Sequence, residues 1–265
     1  MNAIKAIFNK QLADLPKNMS VTMMFILFPL MSLLLGTIMG GGDEIAESIL
    51  NMQFMMIFAA MTPMVMIANT IAEDNEYKSL RFMVTAGVKP GQYLMGLISF
   101  AMIISTFPVV AFAFIGGYSG TEFWIFIALG LAGCLASCIL GAIVGIFSKN
   151  VQQSSALYTP LGMVLAFTPM VAMGSEAVRN VVQYLFPVQI FVTLFDMLMP
   201  EYTAVLTRVN IEGYDIMHRF VGEYVLEPIE PLSQGMTTSL IIIGANAVVF
   251  AILFAIAYKR KGLKG

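Results

Sequence analysis

Two cysteines and one histidine are the only thiol and imidazole side chains in the chain. Cys134 and Cys138 stand four residues apart in an apolar run, the spacing of one helix face. That spacing fits neither a zinc site nor a disulfide framework, so they read as small packing residues. His218 is alone in a polar stretch, without a second imidazole for a metal site or a base partner for a triad. The phosphate loop Gly-x-x-x-x-Gly-Lys-Ser/Thr is absent, so ATP cannot be held in that way. Gly-x-Ser-x-Gly and His-Glu-x-x-His are absent too. Glu201, Glu212, Asp215, Glu223, Glu227 and Glu230 gather with Arg208 and Arg219, but not at calcium-loop spacing, and read as a solvated face. The remaining candidate is a short charged stretch bearing an aromatic and aliphatic stripe. In it Glu73, Glu76, Tyr77, Leu80, Arg81 and Val84 are placed to dock a partner.

The elements that carry this stretch follow from composition. Of 265 residues, 58% are hydrophobic and 11% charged, and mean hydropathy is +0.84. Soluble domains carry about 25% charge, so a water-soluble fold is excluded. The chain reads as an all-α membrane protein forming one domain, 1–265. Charge-poor windows place six crossings at about 19–40, 51–72, 91–117, 123–147, 153–173 and 236–258, each near the roughly 20 residues a bilayer core requires. The start, 1–20, has a basic part followed by a spanning run and does not read as a cleavable signal.

Orientation follows from the basic residues. With both termini in the cytoplasm, eleven of the fourteen Lys and Arg face inward; only Arg179, Arg208 and Arg219 do not. Twelve of the sixteen acidic residues then lie outside. The stretch 177–199 contains Arg179, Gln183, Pro187, Gln189 and Asp196, and a crossing there would export the basic tail. It reads as a re-entrant helical hairpin within an external segment, 174–235, broken at Pro187 into halves too short to cross. A surface-lying helix pair and a true span are the alternatives.

Ile4, Ile7, Phe8, Leu12 and Leu15 recur at helical spacing, which predicts an interfacial N-terminal helix over 1–18. Residues 73–90 form a cytoplasmic element. Gly87 is its expected helix stop, and Pro90 opens the next helix. Its apolar stripe needs a covering surface, either a partner or the chain's own inner face. Gly133, Ser137, Gly141 and Gly145 make a small-residue stripe that predicts a close helix approach. A shorter version, Ser32, Gly36 and Gly40, sits near Pro29, while Pro160 and Pro169 interrupt the fifth crossing. Pro29, Ser32, Gly36, Pro160, Met163, Phe167 and Met170 are therefore expected at a passage or a dimer interface. Of twenty-two methionines fourteen lie in the first, second and fifth crossings, as core filler or as an adaptable lining. No ionisable residue falls at mid-membrane, which weakens gradient-driven transport.

Ile71-Ala72-Glu73, then Ser79-Leu80-Arg81-Phe82-Met83, Gly87-Val88-Lys89-Pro90 and Tyr93-Leu94-Met95-Gly96, together with this topology, resemble the permease subunit of type-2 ABC exporters. The segment 174–237 is longer than in compact glycan-exporting members. The resemblance implies a permease that pairs with a second copy, as a homodimer or a homologous heterodimer. It also implies two docked ABC ATPase subunits, which would bind the ATP and magnesium; no cofactor is expected in this chain, and no nucleic-acid partner. Surrounding lipids complete the partners, in a bacterial plasma membrane. An amphipathic or hydrophobic cargo, drug-like, peptide or lipid-like, is the expectation. A carrier or channel acting without an ATPase, or a non-transporting scaffold or sensor, stays open on the residues alone.

Overall fold

A computed structural model describes residues 3–17, 19–41, 44–79, 83, 85, 87–174, 176–198 and 236–261. Its helices are α1 (Ala3–Asp14), α2 (Met19–Gly40), α3 (Glu44–Glu76), α4 (Pro90–Ile115), α5 (Gly120–Phe147), α6 (Val151–Gly174), α7 (Glu176–Val182), α8 (Phe186–Leu198) and α9 (Met236–Lys261). No strand occurs among the described residues. Six of these helices, α2 to α6 and α9, are long and apolar enough to cross a membrane. Several outrun their apolar windows: α3 continues into Glu73-Asp74-Asn75-Glu76, and α5 takes Glu122 into its first turn. Hydropathy marks lipid depth, whereas backbone bonds continue until a cap stops them, and an acidic first turn suits the helix dipole.

The bundle is built around α3 and α5. Within their crossing windows 72% and 61% of residues are buried, against 17% for α2 and 11% for α9. The small-residue stripe of α5 fits against α3 as its spacing predicts. A Cβ on Gly141 would collide with the backbone of Met64, and one on Gly145 would press on Ile71 and the Ala68 carbonyl. On the other side of α3, Phe58 packs edge-on against Phe25 and Phe28 of α2 and tilts against Phe112 of α4. Met52, Met55, Met56 and Met64 of α3 are fully buried, so these four are core filler. Cys134 and Cys138 are likewise buried packing residues.

Two of the proline breaks in the helices, at Pro63 and Pro169, are repaired by side chains. Pro63 removes the N–H that would bond the Ala59 carbonyl, and the Ser137 hydroxyl of α5 donates to that carbonyl at 2.5 Å. Pro169 orphans the Leu165 carbonyl, and the Thr168 hydroxyl donates to it at 2.7 Å. Beside that break, Gln53 Nε2 of α3 reaches the Ala166 carbonyl at 3.1 Å. Ser32 donates to Asn51 Oδ1 at 2.8 Å, and Asn51 Nδ2 donates to the Phe112 carbonyl at 2.9 Å, which joins α2, α3 and α4. No water serves lipid-depth backbone, so each repair is needed where it stands.

Helix α8 has 13 residues, too few to cross, yet Phe186, Val188, Ile190, Phe191, Thr193 and Leu194 are all buried. It is held among α3, α5, α6 and α9. The break between α7 and α8 falls at 183–185, and Pro187 lies in the first turn of α8. This corrects the expected break at Pro187: a first-turn proline gives up only an N–H that has no helical partner. The turn is pinned by Asn246 Nδ2 of α9, which donates to the Tyr184 carbonyl at 2.8 Å. Asn246 stands near the middle of the crossing window Thr238–Ala257. Ser239 donates to Gln189 Oε1 at 3.1 Å, and Gln189 Nε2 closes back on the Gln183 carbonyl.

Substitutions at Gly141, Ser137 and Pro63 test this account. Gly141→Leu forces α3 and α5 apart and is expected to cost at least the roughly 1–3 kcal/mol of ordinary overpacking, read as a lower unfolding temperature in detergent. Ser137→Ala strands the Ala59 carbonyl. Its cost should be about 1–2 kcal/mol, above the ~0.6 kcal/mol average for membrane hydrogen bonds, because no other donor replaces it. With Pro63→Ala, which returns the missing N–H, the Ser137→Ala penalty should shrink in a double-mutant cycle.

Candidate functional site

The candidate site lies at the end of the bundle where α1, the C-terminus of α3 and the starts of α4 and α6 meet. Helix α1 is placed by its apolar face: Ile7 is buried, and Phe8 meets Phe100 of α4 edge-on at 5.5 Å. Gly96 makes room, since a Cβ there would lie 2.9 Å from Ile7. The expected interfacial helix is thus an α-helix whose apolar face is taken up largely by α4. Leu12, 50% exposed, is left facing outward. The Thr22 hydroxyl donates to the Leu15 carbonyl at 2.8 Å and fixes the corner between α1 and α2.

Three consecutive residues at the end of α3, each turned about 100° from the last, grip different parts of the bundle. Asp74 is 4% exposed at its side chain. Its Oδ1 accepts from Lys10 Nζ of α1 at 2.8 Å and from the Ser79 hydroxyl at 2.6 Å, and its Oδ2 accepts from the Tyr93 hydroxyl of α4 at 2.5 Å. Asn75 Nδ2 donates to the Gly145 and Ser148 carbonyls at 3.2 and 3.1 Å, closing the end of α5. Glu76 Oε2 accepts from the Val151 N–H at 3.2 Å, at the open start of α6. The Asn150 side chain accepts from the Gln153 N–H at 2.8 Å and completes that cap.

Beyond Glu76 the chain turns sharply. Lys78 takes φ 57°, left-handed for a residue other than glycine. Ser79, Met83 and Thr85 are helical. Gly87 then takes φ 82°, and the Val88 N–H bonds back to the Met83 carbonyl at 3.0 Å. This is the glycine stop expected at Gly87. Pro90 opens α4 as expected, with the Lys89 N–H donating to Gln92 Oε1 at 3.1 Å.

Of the residues expected to dock a partner, Glu73 is exposed and Tyr77 is 71% exposed. Glu76 is engaged as the cap of α6. Leu80, Arg81 and Val84 lie outside the described residues, as do His218 and the acidic stretch 201–230. The expected passage or interface residues divide in two. Pro29, Ser32 and Gly36 are buried; Ser32 is bonded to Asn51 of α3, while a Cβ on Gly36 would meet open space. Pro160, Met163, Phe167 and Met170 form an exposed stripe along α6. The residue missed from the sequence is Asp74. Its signal was a carboxylate within three residues of an apolar window, with Lys10 in the second half of α1 and Tyr93 in the first turn of α4 on either side.

Six helices long and apolar enough to cross, a buried short helix among them and a braced charged end define a multi-pass membrane protein. A sequence model of the ABC-2 family transporter proteins matches residues 2–256. The chain belongs to that family and is the membrane permease of an ABC transporter, a subunit of a kind that works with an ATPase. No curated protein matches the chain.

Asn75→Ala removes a donor from two carbonyls at the end of α5, of which that of Gly145 keeps the Ser148 N–H. It is expected to cost about 1–2 kcal/mol and to speed amide exchange at the 148–151 turn, measured by hydrogen–deuterium exchange, while α8 amides keep their protection.

Proposed function

We propose that the chain is the permease of an ATP-driven exporter, with the α1 end of the bundle in the cytoplasm. Two permeases, identical or homologous, pair and dock two ATPase subunits, which bind ATP and magnesium. The excess of Lys and Arg on the α1 side, in a bacterial plasma membrane, supports this orientation. The observation that carries the coupling reading is Tyr77, which stands exposed directly after an α3 end gripped by α1, α4, α5 and α6. A push on an unsupported loop would dissipate; at this end it meets four helices. Residues 77–86 and α1 would receive the stroke as the ATPases close on ATP. Glu73, Tyr77, Leu80, Arg81 and Val84 are the contact residues of this proposal, and Glu76 supports them.

The pinning of the 183–185 turn level with Asn246 supports a hairpin of α7 and α8 that dips to mid-membrane from the outer side. The exposed stripe of Pro160, Met163, Phe167 and Met170 supports a passage wall or permease–permease contact made of apolar, deformable side chains. Such a wall suits amphipathic or hydrophobic cargo: a drug, an antimicrobial or toxin peptide, or a lipid-like molecule.

The test is Leu80→Ala/Arg81→Ala. The variant should insert and melt like the unsubstituted protein, yet lose co-purifying ATPase or its stimulated hydrolysis. Unchanged ATPase retention and stimulation overturn the reading, as does transport by the chain alone in liposomes.

A further inference from the structure

We infer that Asp74 is a positioning residue for coupling, the clasp that makes α1, the end of α3 and the start of α4 move as one body. The inference rests on the ATPase-coupling reading and adds to it the residue through which the stroke is shared. Three observations converge on this carboxylate. It is almost fully buried, and a buried carboxylate persists only when it is paired and hydrogen-bonded. Its donors come from three separate pieces of chain: Lys10 on α1, Tyr93 on α4 and Ser79 in the segment that follows α3. No other described side chain accepts from all three.

The apolar contacts do not do this work. Ile7, Phe8, Gly96 and Phe100 fix α1 to α4 but leave α3 out. Among the described residues the polar bonds between α1 and α3 are Lys10 to Asp74, at 2.8 Å, and the Thr70 hydroxyl to Gln11, at 3.5 Å. The second is at the limit of hydrogen-bond length. The Lys10–Asp74 pair is therefore the link through which a displacement of α3 reaches α1. Ser79, next to the exposed Lys78 and Tyr77, brings the docking segment into the same clasp.

The experiment uses the permease purified with its co-purifying ATPase and reconstituted in lipid, with Cys134 and Cys138 replaced by alanine. Nitroxide labels on Leu12→Cys of α1 and Met95→Cys of α4, both exposed in the parent, report the apolar α1–α4 packing by pulsed electron resonance and serve as the folding control. Labels on Leu12→Cys and Ile256→Cys of α9 report the movement of the clasped body against the rest of the bundle. In the otherwise unsubstituted protein, ATP with vanadate should shift the 12–256 distance and leave the 12–95 distance narrow. Asp74→Asn should keep the ATPase bound, leave the 12–95 distribution narrow because the apolar contacts still hold α1 to α4, and cut the nucleotide-driven 12–256 shift to about half or less, as expected when a two-state element is uncoupled from its trigger.

Lys10→Met should reproduce this and Lys10→Arg should restore normal behaviour; Tyr93→Phe, which removes one donor without changing shape, gives a second route if Asp74→Asn folds poorly. If the 12–256 shifts of Asp74→Asn and Tyr93→Phe match the parent, the inference is overturned while the coupling reading stands. If ATP with vanadate leaves the 12–256 distance of the parent unmoved, the coupling reading falls and takes the inference with it.

Discussion

The fold depends on how closely α3 and α5 approach. In lipid an apolar side chain gains little by turning away from its solvent, so helices associate through contact and hydrogen bonding. Here the backbones of Met64 and Ala68 lie where the side chains of Gly141 and Gly145 would otherwise stand. That approach sets Ser137 within bonding distance of the Ala59 carbonyl and brings Asn75 onto the last carbonyls of α5. The peripheral helices α2 and α9 are then free to present most of their apolar surface outward.

A second constraint is the treatment of polar groups at lipid depth. Prolines in α3 and α6 open the backbone ladder, and hydroxyls from Ser137 and Thr168 close it again, one from a neighbouring helix and one from the same helix. The difference matters mechanically. A break repaired from within can bend alone, while a break repaired across an interface bends only if its neighbour follows or lets go. Helix α3 is thus stiffened at Pro63 by α5, whereas α6 keeps its own repair at Pro169 and turns its Met163 and Phe167 face outward.

Much of this was legible in the residues. Six apolar windows, the glycine stop at Gly87, the proline start at Pro90 and the small-residue stripe of α5 are local patterns, each set by one helix or one turn. What escaped depends on partners far along the chain. Lys10 and Asp74 are 64 positions apart, and nothing near either residue names the other. Glu76, expected at the docking face, also accepts from the Val151 N–H, 75 residues on, and nothing near Glu76 shows that partner. Pro187 looked like a break because a proline forbids a helix interior, yet it equally suits a helix start, and the choice lay in the 183–185 turn pinned by Asn246. Ser32 looked like part of a small-residue face, and its hydroxyl is bonded to Asn51, 19 residues on, which nothing local shows.

The Lys10–Asp74 pair also bears on biogenesis. The amine leaves the ribosome 64 residues before the carboxylate that receives it, an interval of about 3–13 s at ordinary elongation rates, and Tyr93 follows later still. During that time α1 has only its apolar face and the membrane surface to rest on, and Asp74 emerges before its third partner exists. Insertion machinery therefore has to tolerate an unfinished clasp until α4 arrives, and a nascent chain arrested between the second and third crossings carries a carboxylate at the lipid boundary that lacks one of its donors.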